Sequence, residues 1–376
     1  MDFAFSEEQD EFREMLRRFF EEKAPSSEVR RMSELPEGFD RAVWKQMAEE
    51  LGLQGVHVPE GYGGQGFGFL ELGIVLEEMG RVLLPSPFLA SSVLATCAIL
   101  NAGAEEQRAA LLPGLASGER IAALALAEDG VGWEPRALKL EAVPEGSGFR
   151  LSGSKGLVLD GQVADRLIVA ARLPGTEGDD GITLCVVSAD DSGLKAAPQE
   201  PLDPTRRLAR IELDGARGEA LGVPGEGAAP LARTLAQGAI ALSAEMVGGA
   251  ARCLDMSVDY AKVRVQFAKP IGTFQAIKHK AAEVLLDLEL ARAAAYWAWW
   301  VADEDRDELQ EAAHLAKATC AEAFHHAARE NIQIHGGIGF TWEHDAHLYY
   351  KRATADDTLF GDATEHRSKL ADLLGA

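Results

Sequence analysis

The chain predicts a multidomain α+β fold in three sections: an N-terminal helical domain over 1–120, a middle antiparallel β domain over 121–227 and a C-terminal four-helix bundle over 228–376. Three observations carry that reading. Apolar residues recur at helical spacing in the first section. From Ile121 they alternate in short runs broken by Gly, Asp and Pro. After Pro230 the only proline is Pro270, set among long stretches rich in Ala, Leu, Glu, Lys and Arg.

Ser6 is followed three residues later by Gln9, a capping box, and Phe12, Met15, Leu16, Phe19 and Phe20 then repeat at helical spacing, so the first amphipathic helix starts there. Further helical patterns run from Phe39 to Leu51, Phe69 to Val82, Ala90 to Asn101 and Glu105 to Leu115. The clusters Pro59-Glu60-Gly61-Tyr62-Gly63-Gly64 and Pro85-Ser86-Pro87 interrupt them. In the second section Leu138, Leu140 and Ala142 alternate with polar neighbours, Glu145-Gly146-Ser147-Gly148 supplies a turn, and Phe149 and Leu151 resume the alternation, which predicts a β-hairpin. Leu167–Ala171, Ile182–Val187 and Leu208–Leu213 are further β-like runs. Helices are expected at about 231–264, 275–303 and 306–334, lengths that suit an antiparallel bundle.

The 376 residues, 47% hydrophobic and 26% charged, are enough to bury one large core or two to three moderate ones, and they exclude a disordered chain. Thirty-seven Lys and Arg against 60 Asp and Glu give a net charge of −23, so the average surface repels nucleic acid and anionic lipid, and any phosphate site must be local. Cys97, Cys185, Cys253 and Cys320 never form C-x-x-C, which fits a reduced cytoplasmic protein without disulfides. The start, Met1-Asp2-Phe3-Ala4-Phe5-Ser6-Glu7-Glu8, is acidic where a signal peptide is basic, and no apolar run reaches about 18 residues; neither export nor membrane insertion is expected.

Four motifs occur in order. Ser6-Glu7-Glu8-Gln9 opens the chain. Val58-Pro59-Glu60-Gly61-Tyr62-Gly63-Gly64-Gln65-Gly66 follows, with Glu71 and Val75-Leu76-Glu77-Glu78-Met79-Gly80 behind it. Arg264-Val265-Gln266-Phe267 then precedes Pro270-Ile271-Gly272-Thr273-Phe274-Gln275. Last comes Gln333-Ile334-His335-Gly336-Gly337-Ile338-Gly339-Phe340. Together with the helical, β, helical order they resemble the acyl-CoA dehydrogenase family of flavoproteins along essentially the whole chain. The resemblance implies the acyl-CoA dehydrogenase fold and FAD as cofactor. Arg264 has a physical reason to meet phosphate, because guanidinium is a permanently charged planar fork of donors. In the family this Arg and the aromatic that follows hold FAD across a subunit boundary. The resemblance therefore assigns Arg264, Gln266, Phe267, Phe274, Gln275, Gln333, Ile334, His335, Gly336 and Gly337 to cofactor binding, with glycine letting backbone approach phosphate or adenine closely. The plainer reading makes Arg264 a helix-end surface charge and Gly336-Gly337 a helix stop.

The catalytic half departs from the family pattern. Dehydrogenation needs a carboxylate to take the α-proton of the thioester while hydride leaves the β-carbon. In the family that carboxylate follows an aromatic in a Tyr-Glu-Gly-Thr-like turn, where Leu359-Phe360-Gly361-Asp362-Ala363-Thr364 puts Gly361. The alternative position lies 26 residues before the signature Arg, and counting back from Arg264 gives Gly238. Beside it the family often carries an Arg, and this chain has Ala239. The family's Thr-Glu-Pro-x-x-Gly-Ser-Asp loop becomes Ala127-Glu128-Asp129-Gly130-Val131-Gly132-Trp133-Glu134, and the Trp-Ile-Thr that lines the flavin ring becomes Leu157-Val158-Leu159. Asp362 is the one nearby carboxylate that a shift in the loop could turn into a base; its other reading is a solvated or helix-capping residue.

The resemblance thus points to a non-catalytic subunit that lends FAD contacts to a homologous catalytic acyl-CoA dehydrogenase subunit, whose pocket holds most of the acyl-CoA. It is similar to such subunits of actinobacterial α2β2 enzymes, several of which act on CoA thioesters of steroid side chains. The rivals are a self-sufficient homotetramer using Asp362 and a flavin-free scaffold of the same fold. Nine histidines, His344 and His347 and the pair His325-His326 among them, do not converge with cysteine at ligand spacing, so no metal is expected. Tyr296-Trp297-Ala298-Trp299-Trp300 reads as core or interface packing, because neighbouring aromatics on a helix face different ways. No nucleophile elbow, P-loop or dinucleotide fingerprint is present.

Overall fold

The computed structural model describes residues 5–130, 132–304 and 306–375. Met1–Ala4, part of the acidic start, and Val131 of the altered loop lie outside the described residues. In chain order the elements are α1 (Glu7–Lys23), α2 (Ser26–Glu34), α3 (Arg41–Glu49), α4 (Phe69–Val82), a π-helical stretch (Phe88–Ala95) running into α5 (Thr96–Ala102), and α6 (Glu105–Ala116). Seven strands follow: β1 (Ala122–Ala125), β2 (Ala142–Glu145), β3 (Gly148–Leu159), β4 (Arg166–Arg172), β5 (Ile182–Ser188), β6 (Leu194–Gln199) and β7 (Leu208–Leu221). Then come α7 (Ala228–Val263), the short pair β8 (Val265–Gln266) and β9 (Lys269–Pro270), and α8 (Gln275–Asp303), α9 (Leu309–His335), α10 (Ala346–Thr358) and α11 (Ala363–Leu374).

Internal contacts group the chain into two units built from non-contiguous segments. The first comprises Met1–Arg31, Phe69–Leu84 and Ala239–Ala376. It is helical throughout apart from the β8–β9 hairpin. The capping box forms as expected: Ser6 Oγ accepts the Gln9 N–H at 3.2 Å, and Gln9 Oε1 accepts the Ser6 N–H at 3.0 Å. Helices α4 and α7 cross with their backbones in contact, since a Cβ on Gly248 would stand 1.9 Å from Glu77 O and one on Gly80 would stand 2.2 Å from Glu245 O. That approach demands glycine at both positions. Trp299 of α8 is fully buried and lies against Gly73 of α4, while the Tyr296 hydroxyl donates to Glu77 at 3.1 Å. The buried carboxylates Glu77 and Glu78 are answered by Arg13 at 2.6 Å and Arg17 at 2.7 Å.

The second unit comprises Met32–Gly68 and Pro85–Gly238. Its sheet runs β1-β4-β5-β7-β3-β2, with β6 on the long β7. The expected β2–β3 hairpin is present, with Glu145 opposite Gly148. Every described pair in this sheet is antiparallel except β1 with β4, so the sheet is mixed rather than antiparallel. The exception has a reason: β2 and β3 intervene in sequence, and a connection of that length frees β1 from the hairpin geometry that forces antiparallel neighbours. The helix expected over Ala90–Asn101 begins instead as the π-helical stretch. There Thr96 Oγ1 donates to Ser91 O at 2.9 Å and Ser91 Oγ accepts the Ala122 N–H at 3.1 Å.

No helix among the described residues is long and apolar enough to cross a membrane.

Candidate functional site

Residues 264–275 and 333–340 belong to one unit, and the ends of α7 and α9 hold them together. Ser257 of α7 donates to Asn331 Oδ1 of α9 at 3.2 Å, and the Tyr260 ring stacks on the His335 ring at 4.3 Å. Beyond Tyr260, β8 and β9 form a two-residue hairpin with Phe267 and Ala268 at its tip, at φ +52° and +66°. Such a turn favours Asn-Gly. Holding two side-chain-bearing residues in the left-handed region costs about 1–2 kcal/mol each. The hairpin tip nevertheless carries Phe267, 87% exposed, edge-on to Phe274 at 6.1 Å, with the Lys269 amine 4.7 Å above the Phe274 ring.

Arg264 is exposed and forms no ion pair among the described residues, although the chain carries a net charge of −23. Gln266, Gln275 and Gln333 are exposed as well, with Gln275 in the first turn of α8. Gly336 sits at φ +66° and needs glycine for that reason. Gly337 does not: its φ is outside the left-handed region, and a Cβ there would meet nothing within 4 Å. Neither backbone nor internal packing explains that glycine, whereas an incoming flat group would. Ile334 and His335 differ from the rest. Ile334 is buried, and the His335 ring is held between Tyr260 and His344 with its Nδ1–H on Asn331 O at 2.8 Å. Their side chains face inward, and only their backbones are open to a ligand.

A permanently charged fork, exposed side-chain amides and a bare glycine are groups that can hold a phosphate and a flat ring. The polar groups of the β-sheet unit are engaged differently. Leu157 bulges out of β3 at φ +52°, and its N–H is already taken by Gln199 Oε1 of β6 at 3.2 Å. Arg210 of β7 spans Asp129 bidentately at 2.9 and 2.8 Å and also reaches Ser154 Oγ at 2.8 Å. This fork holds the Asp129 carboxyl below its usual range. Behind it, the fully buried Lys155 donates to Glu128 at 2.7 Å, and Glu128 also accepts the N–H groups of Lys139 and Leu140. Burial brings Lys155 down to about 8. The polar groups of this face are spent on one another.

Gly361, at φ +103°, is buried in a turn whose carbonyls are tied down from below. The Lys317 amine, itself fully buried, donates to Gly361 O and Asp357 O at 2.9 Å each, and His366 Nε2–H donates to Phe360 O at 3.1 Å. That leaves His366 Nδ1 to accept from His314 Nδ1–H at 2.9 Å. Asp362 is exposed, and its Oδ1 accepts the Glu365 N–H at 2.8 Å as the N-cap of α11. The bond that the capping reading requires is thus present. Gly238 is buried in α7, followed by the buried Ala239. Sequence reasoning missed Gln199, Arg210, Lys317 and His314, which no local motif announces; His366, which beside Arg367 reads from sequence as an interface or surface residue, is instead buried against the turn.

Family models match this chain along nearly all its length. They are the acyl-CoA dehydrogenase N-terminal domain at residues 6–119, the middle domain at 123–215 and the C-terminal domain at 225–374. Acyl-CoA dehydrogenase IpdE2 of Mycobacterium tuberculosis is 36% identical over 359 residues, covering 96% of this chain and 95% of that protein. The chain belongs to the acyl-CoA dehydrogenase family. Its members are FAD-dependent oxidoreductases, and two solved structures of the family are similar along the whole chain. One is a variant of the Tcur3481–Tcur3483 steroid acyl-CoA dehydrogenase, with a TM-score of 0.89, 33% identity and 98% of both chains covered. The other is the ChsE4–ChsE5 complex from Mycobacterium tuberculosis, with a TM-score of 0.89, 28% identity, and 100% of this chain and 99% of that chain covered.

Proposed function

We propose that this chain is the non-catalytic subunit of a cytoplasmic, heteromeric acyl-CoA dehydrogenase of the steroid-degrading type. Its domains are delimited at 1–120, 121–227 and 228–376. In this reading Arg264, Gln266, Phe267, Phe274, Gln275 and the backbone from Gln333 to Gly337 grip FAD seated in a homologous catalytic partner. When bound, FAD accepts the hydride from the β-carbon of the thioester. Arg264 holds a phosphate by its fork, Gln275 offers an amide, and Gly337 leaves room for a flat group. Gly361 and Gly238 carry no side chain that could take the α-proton, so the base and most of the acyl-CoA pocket fall to the partner.

The observation that supports this best is an asymmetry: Arg264 has no ion pair among the described residues and Gly337 is otherwise unexplained, whereas Leu157 and Asp129 of the β-sheet unit already have partners within the chain. The similarity to the Tcur3481–Tcur3483 steroid acyl-CoA dehydrogenase and to the ChsE4–ChsE5 complex adds to it. The test is the visible spectrum of the chain purified alone and with a homologous catalytic subunit. The chain alone is expected to be colourless and the complex yellow, with about one FAD per pair of subunits. A yellow, active homo-oligomer that loses turnover on Asp362→Asn would establish the self-sufficient enzyme instead. A complex that keeps its flavin unchanged on Arg264→Ala would remove the shared grip.

A further inference from the structure

Within the helical unit, the C-terminal end of α4 meets α1, α2, α7 and α10 around a cavity of about 310 Å³, near the lower size at which small-molecule sites occur. Val29, Met256 and Leu348 give it an apolar wall; its charged lining is Arg17, Arg81 and Arg252 with the carboxylates Glu21, Glu78 and Asp345, the last paired with Arg30 at 2.7 Å. The three guanidiniums are not equivalent. Arg17 is spent on Glu78, with Nε and Nη2 on its two oxygens at 2.9 and 2.7 Å. Arg81 is spent on Asp255 at 2.8 Å. Arg252 has the Tyr349 hydroxyl as a neighbour and forms no ion pair among the described residues. The Tyr349 hydroxyl is in turn fixed by donating to Arg81 O at 2.6 Å, so the polar corner is rigid before anything enters.

A second feature points the same way. Leu83 lies one residue beyond α4 at φ +54°, where its N–H meets Gly80 O and the next N–H meets Met79 O. This helix-ending position favours glycine, and a branched side chain there costs about 1 kcal/mol or more. Leu83 is one of the residues lining the cavity. Strain retained at a wall is a mark of a site rather than of a packing gap.

We infer that this cavity binds a small carboxylate with an aliphatic body, its head on Arg252 and its chain along Val29, Met256 and Leu348. The inference stands apart from the shared-cofactor reading, because none of these residues belongs to the FAD-gripping surface. A carboxylate is the head group that a lone guanidinium pairs bidentately, and the apolar wall adds affinity for each buried methylene.

The test uses the full chain, in complex or alone, with sodium hexanoate followed by calorimetry and thermal shift. Hexanoate should bind saturably and raise the melting temperature, while hexanol and inorganic phosphate, each carrying half of the chemistry, should bind at least about tenfold more weakly. Arg252 is exposed, so Arg252→Gln keeps the fold, checked by near-UV circular dichroism, and should weaken hexanoate by about tenfold or more. Val29→Phe, which fills the apolar wall, should weaken it as well. Absence of saturable binding, equal binding of hexanol or phosphate, or unchanged hexanoate affinity in Arg252→Gln would each overturn the assignment.

Discussion

Lowering the pH from about 7.5 to about 5 should loosen the turn at Gly361 through two neighbouring imidazoles. In the folded chain burial pushes His366 down to about 3 and His314 to about 4, with the nearby Lys317 and Lys369 acting in the same direction and Glu365 opposing it. Unfolded, both titrate near about 6.5. Since the folded values are depressed, the unfolded state binds more protons; the stabilisation is complete above the unfolded value and is lost as pH falls toward the folded ones. Integrated from about pH 6.5 to pH 5, one such histidine is worth roughly 1.5 kcal/mol. His366 is buried and counts nearly in full; His314 is partly open to solvent and counts for less, so the pair should cost roughly 2 kcal/mol. The geometry gives the same sign, because a proton on His366 Nδ1 would set N–H against N–H across the 2.9 Å contact with His314. Urea unfolding of the wild type and of His314→Asn/His366→Gln across this range separates the pair from His57, which burial also lowers. The double variant should be less stable at neutral pH yet show a flatter acid slope. Identical slopes would refute the reasoning, as would a His366 titration near its ordinary value by NMR.

Four further outcomes are expected. Lys317→Met leaves the carbonyls of Gly361 and Asp357 without a donor and should cost about 2–4 kcal/mol, read as a lower melting temperature. Gly248→Ala forces a methyl against Glu77 O at the α4–α7 crossing and should cost about 1–3 kcal/mol or more, whereas Gly337→Ala should leave stability within about 0.5 kcal/mol but lower the FAD content of the reconstituted complex. Phe267→Ala removes an exposed ring from the hairpin tip; by ultracentrifugation the partner complex should weaken by about tenfold or more while the isolated chain melts at the same temperature.

Elements that repeat a clear period were legible from the sequence. Phe69–Val82 was read to the residue and the capping box at Ser6 to the atom, because both depend on neighbours one turn away. β6 was not legible: Leu194–Gln199 contains Pro198 and shows no alternation, since it only lines the flank of β7. α10 mixes Tyr, Lys, Arg, Thr and Asp around its circumference and follows a glycine-rich turn, so its period is hidden. At the site, the chemistry carried by contiguous motifs could be read, Arg264 and Gly336-Gly337 above all. What could not be read is what turns the other face inward. Gln199 meets Leu157 from 42 positions away, Arg210 meets Asp129 from 81, and Lys317 meets Gly361 from 44. Asp362 shows the limit within a single residue, because base and cap need the same side chain and differ only in what it touches.

That distribution bears on how differently the two sets of residues are engaged. In the β-sheet unit Gln199 occupies the Leu157 N–H, and Arg210 occupies Asp129 and Ser154, all from within the chain. Arg264, by contrast, has no carboxylate partner among the described residues, and Phe267 and Ala268 hold a strained turn. Strain and unpaired charge that stability alone would remove persist where something outside the chain uses them. On the proposed reading that user is the cofactor of the partner subunit. It follows that Gln199→Ala should lower stability without conferring flavin on the isolated chain, while Arg264→Ala should lower flavin in the complex without lowering stability. The reverse pattern in absorbance and melting curves would mean that the two faces have been assigned the wrong way round.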